Sequence, residues 1–283
     1  MAELLKGAPV AAALAERTAA DCAALRARGV VPTLAILRVG AREDDLAYER
    51  GAVKRCAAAG VEVRSVALEA SVAQADYMAA LEALNRDHTV HGILMLRPLP
   101  AQLDEEAARR ALAPAKDVDG VTDGSLAGVF TGSGEGFAPC TAQAVTEILR
   151  HYRIDPRGKT AAVIGRSLVV GRPAAMLLMA LGATVTVCHS KTPDVAAVTQ
   201  SADIVVAAAG QMRAFGGEYF APGQTVIDVG IHVNGETGKL CGDVRQEEAE
   251  RIVSALTPVP GGVGAVTTAV LVSHVTEAAK RQS

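Results

Sequence analysis

Four stretches of this 283-residue chain combine residue types and spacings that chemistry requires. Lys116-Asp117-Val118-Asp119-Gly120 sets two carboxylates at i and i+2 before a glycine, a pattern that can bind a ligand or merely build a turn. Pro98-Leu99-Pro100 follows an apolar run at 92–96, at the carboxyl edge where α/β sheets bind ligands. TPVPGGVG (257–264) holds two prolines and three glycines, a rigid loop suited to close backbone contact with a planar ligand. The fourth stretch, TAAVIGRSLVVGRPAAMLLMALG (160–182), is the most informative.

In that stretch an apolar run at 161–164 has the length of a buried strand. Gly165 and Gly171 bracket a turn, Pro173 opens an Ala/Leu-rich helix, and Gly182 closes it. Strand, glycine turn and helix in that order make a phosphate cradle, with free N–H groups at the helix start facing an anion. The spacing departs from G-x-G-x-x-G, and an ordinary βα turn is the alternative. The next strand, 184–188, ends in His189-Ser190-Lys191-Thr192. An NAD site usually places an acidic residue here for the ribose 2′-hydroxyl, yet none occurs before Asp194. Arg166 and Ser190-Lys191 can bond a 2′-phosphate instead, which favours NADP over NAD. Alternatively, Lys191 is solvated and Arg166 packs on the adenine without discriminating.

Strand-like runs alternate with helical patterns along the whole chain. Strands are predicted at 33–39, 61–66 and 92–96, with helices at 43–59, 72–87 and 105–112. Strands at 161–164, 184–188, 204–207 and 225–229 form a second unit, and a closing helix spans 267–280. Alternation of this kind implies parallel sheets with right-handed crossovers. The predicted class is therefore α/β, two α/β domains with a cleft between them, the second a Rossmann-type nucleotide-binding domain. Residues 1–140, completed by a C-terminal helix at 266–283, form the first, and 141–265 the second. The seam is a glycine-rich stretch of low periodicity at 120–139, and the N-terminal 29 residues read as an amphipathic helix.

Composition narrows the ligands. Half the residues are apolar and the net charge is −3, so no broad field attracts nucleic acid. Tryptophan is absent and aromatics are 3%, which leaves little for base stacking. Five dispersed cysteines (Cys22, Cys56, Cys140, Cys188, Cys241) without C-x-x-C spacing suggest reduced, cytoplasmic thiols. No histidine spacing suits a metal, and no run is long enough to span a membrane.

The four stretches, in order with LLKGAPVA, Tyr48, HGILMLRPLP, Pro139-Cys140-Thr141, CHSKT, VIDVGI and GDV, resemble the bifunctional methylenetetrahydrofolate dehydrogenase/methenyltetrahydrofolate cyclohydrolase (FolD-like) family over nearly the whole chain. The resemblance implies hydride transfer from 5,10-methylenetetrahydrofolate to NADP, or less readily NAD, then hydrolysis of the methenyl product. It also implies a homodimer through the second domain. Tyr48 and Asp119 would be catalytic. Tyr48, Leu96, Pro98, Asp119, Pro260, Gly261 and Gly262 would line the folate. The cofactor would meet Gly165, Arg166, Ser167, Val170, Gly171, Arg172, Pro173, His189, Ser190, Ala208, Gly210, Gly230, Ile231 and Thr267.

The departures concentrate at the one-carbon end. The family carries its cyclohydrolase lysine four residues after the tyrosine, where this chain has Ala52. Lys54 matches a second lysine of the motif and lies about 200° around the helix from Ala52. The glutamine that orients the lysine falls on Leu96, and strand alternation predicts that neighbouring Arg97 points the opposite way. PCTPxG reads Pro139-Cys140-Thr141-Ala142-Gln143-Ala144, and GGVGPMT carries Ala265-Val266. The pair after DVDG is Val121-Thr122. A dehydrogenase with weak or absent cyclohydrolase activity is the leading expectation. The alternatives are a non-catalytic paralogue that pairs with a bifunctional subunit, and a dehydrogenase for a different one-carbon carrier.

Overall fold

A computed structural model describes residues 1–235 and 238–283. In chain order the elements are β1 (Glu3–Leu4), α1 (Gly7–Ala27), β2 (Thr33–Val39), α2 (Glu43–Ala59), β3 (Glu62–Leu68), α3 (Gln74–Arg86), β4 (Gly92–Met95), α4 (Glu105–Ala111), α5 (Asp123–Thr131), α6 (Cys140–His151), β5 (Thr160–Ile164), α7 (Gly171–Ala180), β6 (Thr184–Cys188), α8 (Val195–Gln200), β7 (Ile204–Ala207), β8 (Thr225–Asp228), β9 (His232–Val233), β10 (Leu240–Cys241), α9 (Gln246–Ala249), β11 (Ala255–Leu256) and α10 (Val263–Gln282). They group into two compact units, Ala12–Cys140 with Thr268–Ser283, and Met1–Ala11 with Thr141–Thr267. No helix among the described residues is long and apolar enough to cross a membrane.

The first unit is built on a parallel sheet of order β3-β2-β4, with Leu34 in register with both Val63 and Gly92. β2 and β4 are apolar and buried almost throughout, as expected of strands covered on both faces. Their side chains Ala35, Leu37, Val39, Ile93 and Met95 pack with Tyr77 and Leu81 of α3. Three acidic residues in the first turn of α2 favour its N-terminus. Gly60, left-handed at φ 82°, ends it. Residues of α10 complete this unit: Gln282 donates to the His91 carbonyl (2.9 Å), and Arg281 donates to the carbonyls of Gly134 and Gly136 (both 2.9 Å).

The second unit holds a six-stranded sheet, every ladder parallel, of order β1-β11-β8-β7-β5-β6. β6 lies to one side of β5 and β7 to the other. The topological switch therefore falls at the carboxyl ends of β5 and β7, where ligands bind such sheets.

Three expectations change. The N-terminal stretch is not all helix: Glu3–Leu4 adds an edge strand beside Ala255–Leu256, so residues 1–11 belong to the second unit rather than to the first domain. The stretch at 120–139 contains α5, capped by Thr122, whose hydroxyl accepts the Ser125 N–H (3.1 Å). Gly124 and Gly128 interrupt the apolar spacing that would have marked it. The closing helix starts four residues earlier than predicted, at Val263.

Candidate active site

In the first unit the AKDVDG segment assigns different work to each polar side chain. Lys116 is buried and donates to the carbonyls of Leu84 (3.0 Å) and Asp87 (2.7 Å). Asp117, fully buried, accepts the N–H groups of Val121 (3.0 Å) and Thr122 (2.7 Å) and so builds the turn. The Asp119 carboxylate takes no part in those turn bonds. Burial pushes its carboxyl up to about 6, the Arg97 guanidinium opposes this, and Asp117 adds to it.

Arg97 lies beside Asp119, Nη2 to Oδ2 3.7 Å, and beside Glu105 and Tyr77, the latter packed with Ile93 and Met95 of the same strand parity. Leu96 is buried, and its N–H donates to the Leu37 carbonyl (3.0 Å). Pro98 is exposed behind a cis Arg97-Pro98 bond. Glu105 braces this loop, accepting the Leu99 N–H (2.9 Å) and lying 3.5 Å from Arg97 Nη1. Tyr77 is fully buried, the charges of Glu105 and Arg97 act on its phenol, and its hydroxyl has no hydrogen-bond partner among the described residues.

Tyr48 and Ala52 lie one turn apart on α2. Desolvation, and next the Asp119 charge, push the Tyr48 phenol well above its usual range although 39% of the residue is exposed. Ala52 is fully buried, whereas Lys54 is exposed. A buried methyl group therefore occupies position 52, and the nearest lysine in sequence faces solvent. Cys140 hydrogen-bonds Asp119 and the Val118 carbonyl (3.2 Å), and burial holds its thiol well above its usual value.

The remaining folate candidates, Pro260, Gly261 and Gly262, belong to the second unit. Gly261 sits at φ 100° after a cis Val259-Pro260 bond, and its carbonyl accepts the Gly7 N–H (2.7 Å).

The glycine turn of the second unit is built for close approach. Gly165 has φ 119°, and a Cβ there would lie 2.1 Å from the Ala208 carbonyl oxygen. A Cβ on Gly171 would lie 2.2 Å from the Gly165 carbonyl oxygen. Both positions therefore demand glycine, which brings the turn and the β7 end together. Ser167 Oγ accepts the N–H groups of Val170 (3.2 Å) and Gly171 (3.4 Å). Arg166, Arg172 and Ser190 are exposed and Pro173 is buried. His189 Nδ1 accepts the Lys191 N–H (3.1 Å), folding the loop after β6 so that Ser190 projects. Thr267 Oγ1 turns back to the Val263 carbonyl (3.3 Å).

Sequence reasoning passed over the acidic pair that fixes the other cofactor candidates. Asp243, fully buried, accepts the N–H groups of Ala209 (2.7 Å) and Gly210 (2.9 Å) through one oxygen. Its other oxygen takes His232 Nε2 at 2.7 Å. Asp228 accepts the N–H groups of Gly230 (2.9 Å), Asp243 (3.1 Å) and Val244 (3.0 Å), and burial raises its carboxyl to about 6. The loops of Ala208–Gly210 and Gly230–Ile231 thus hang on two carboxylates. The signal available was an aspartate at the end of one strand run and another after a glycine.

Residues 5–119 match the family model described as the tetrahydrofolate dehydrogenase/cyclohydrolase catalytic domain. Residues 139–283 match the NAD(P)-binding domain of the same family. The bifunctional protein FolD of Carboxydothermus hydrogenoformans is 48% identical over 279 residues, covering 98% of this chain and 97% of that protein. The crystal structure of bifunctional FolD from Campylobacter jejuni superposes with a TM-score of 0.95 at 35% identity, covering all of both chains. The Trypanosoma brucei methylenetetrahydrofolate dehydrogenase-cyclohydrolase, complexed with NADP cofactor and inhibitor, gives a TM-score of 0.90 at 36% identity, covering 99% of this chain and 98% of that one.

Proposed function

The chain belongs to the tetrahydrofolate dehydrogenase/cyclohydrolase family, and on that footing we propose that it oxidises 5,10-methylenetetrahydrofolate to 5,10-methenyltetrahydrofolate with NADP and hydrolyses the product little or not at all. The observation that carries this is the division within one unit: Asp119 and Tyr48 retained together, Ala52 and Leu96 buried and apolar.

The Gly165–Gly171 turn, whose two end glycines leave no room for a Cβ and which opens α7, would receive the phosphates of a dinucleotide. Arg166 and Ser190 would hold the 2′-phosphate, and the carbonyl-lined ends of β5 and β7 would receive the rest. When bound, NADP supplies the hydride acceptor. The protein's task is then positioning, since the donor C–H must come within about 3–3.5 Å of the acceptor carbon. Asp119 accepts N–H groups of the pterin as a carboxylate and fixes its orientation, and the Tyr48 ring packs beside it. Such a step needs no base on the protein. Hydrolysis does, because water must be activated and protons moved, work for which a positioned group contributes roughly 10²- to 10⁴-fold. Neither Ala52 nor Leu96 supplies one. A homodimer through the second unit completes the proposal, checked by sedimentation.

The test is to mix protein, NADP and 5,10-methylenetetrahydrofolate and follow reduced cofactor. Methenyl absorbance should then accumulate rather than decay. Protein-dependent NADPH formation is expected, and none at all overturns the proposal. Arg166→Ala is expected to weaken NADP about 10- to 100-fold, the equivalent of one charge-assisted contact of about 1.5–3 kcal/mol. NAD should be unaffected. Equal or better kcat/KM with NAD in the unmodified protein contradicts the cofactor preference.

A further inference from the structure

We propose that Arg97 is a positioning residue of the folate site: it holds Asp119 ionised and oriented so that the carboxylate can accept from the pterin. The inference rests on the dehydrogenase function proposed above.

Arg97 follows the buried strand β4 and is braced from behind. Glu105 lies 3.5 Å from Nη1 while its second oxygen accepts the Leu99 N–H at 2.9 Å. The brace orients the guanidinium toward Asp119, Nη2 to Oδ2 3.7 Å. Charges thus alternate Glu105, Arg97, Asp119. The Arg97 and Asp119 side chains are 23% and 26% exposed, enclosed enough for their attraction to escape most of the screening that weakens surface pairs. At 3.7 Å the contact is an ion pair rather than a hydrogen bond. Arg97 therefore leaves free for a ligand the lone pairs of Asp119 that Cys140 does not take.

The other groups facing Asp119 do not share this role. Asp117 spends both oxygens on backbone N–H groups and repels a second negative charge. Cys140 and Tyr48 are held well above their usual values and are neutral. Among the described groups acting most strongly on Asp119, Arg97 is the cation. Without it, burial and Asp117 act unopposed and the carboxyl protonates at higher pH. A protonated carboxyl presents an O–H where the pterin presents N–H donors, and the fit is lost.

The experiment is the pH profile of kcat/KM for 5,10-methylenetetrahydrofolate at saturating NADP, for the unmodified protein, Arg97→Gln and Arg97→Lys. The unmodified protein should show an acidic limb near pH 6, from the Asp119 carboxyl. Arg97→Gln should move that limb up by about one pH unit, the low end of what a neighbouring opposite charge does to an aspartate. Activity below the limb then falls about tenfold more than at pH 8.5. Arg97→Lys should return the limb, because an ion pair needs charge rather than a planar fork. A limb unmoved in Arg97→Gln, or displaced equally in Arg97→Lys, overturns the proposal. If the unmodified protein reduces no NADP, the dehydrogenase proposal fails instead. Arg97 is then tested by carboxyl ¹³C NMR of aspartate-labelled protein, with Asp119→Asn assigning the resonance. A midpoint about one unit higher in Arg97→Gln supports the role, and an unchanged midpoint refutes it.

Discussion

Asp119→Asn is expected to lower kcat/KM for 5,10-methylenetetrahydrofolate by about two to four orders of magnitude while NADP still binds. The carboxylate accepts at both oxygens, whereas an amide of the same shape offers a donor at one position. A pterin N–H would then face an N–H. The loss combines a charge-assisted bond, about 1.5–3 kcal/mol, with a donor left unpaired, about 1–3 kcal/mol more. Sites that hydrogen-bond their substrate discriminate on this scale. The turn itself survives, because Asp117 and not Asp119 accepts the N–H groups of Val121 and Thr122. Steady-state kinetics and an NADP titration give the answer. Unmodified kcat/KM in the Asn protein would show that Asp119 is a bystander of the turn.

The second large effect is a gain. The unmodified protein is expected to hydrolyse methenyltetrahydrofolate near the buffer rate, and Ala52→Lys with Leu96→Gln to raise enzyme-proportional hydrolysis about 100-fold or more. Helical side chains lean toward the N-terminus. A lysine at 52 therefore reaches over the turn that carries Tyr48, toward Asp119. Ala52 is fully buried, so the stem must lie along apolar surface while the amine reaches the polar cluster. Loss of methenyl absorbance against buffer blanks reads the rate, and thermal melting checks that the double variant is folded. Robust hydrolysis by the unmodified protein refutes the expectation. A folded double variant without gain shifts attention to Ala142 and Ala144, both fully buried, and to Ala265, as substitutions that reshaped the pocket.

Much of the scaffold was legible because its strands are short apolar runs bounded by polar or glycine residues. β2, β6 and β7 fall where the runs fall. β1 was not legible: two residues carry no period, and its partner Ala255–Leu256 is far along the chain. The roles within AKDVDG were equally hidden. Two aspartates at i and i+2 look alike until the folded turn shows which one its N–H groups meet. The reach of Arg97 was hidden too, because alternation gives the face a side chain leaves from and not the carboxylates a long guanidinium then meets. The pairing of His232 with Asp243 at 2.7 Å was not legible, since it depends on β9 and the segment after β10 being folded together.

The interleaving of the two units bears on how the chain is made. Glu3–Leu4 leaves the ribosome early, yet the edge it completes is Ala255–Leu256. At about 5–20 residues per second, that edge arrives roughly 10 to 50 seconds later. The β2–β4 sheet can form meanwhile, but residues 268–283, which finish its unit, are later still. During that interval the two-residue segment waits unpaired. The nascent protein therefore carries unpaired strand groups, a state in which chaperones and neighbouring nascent chains compete for the same backbone N–H and C=O groups.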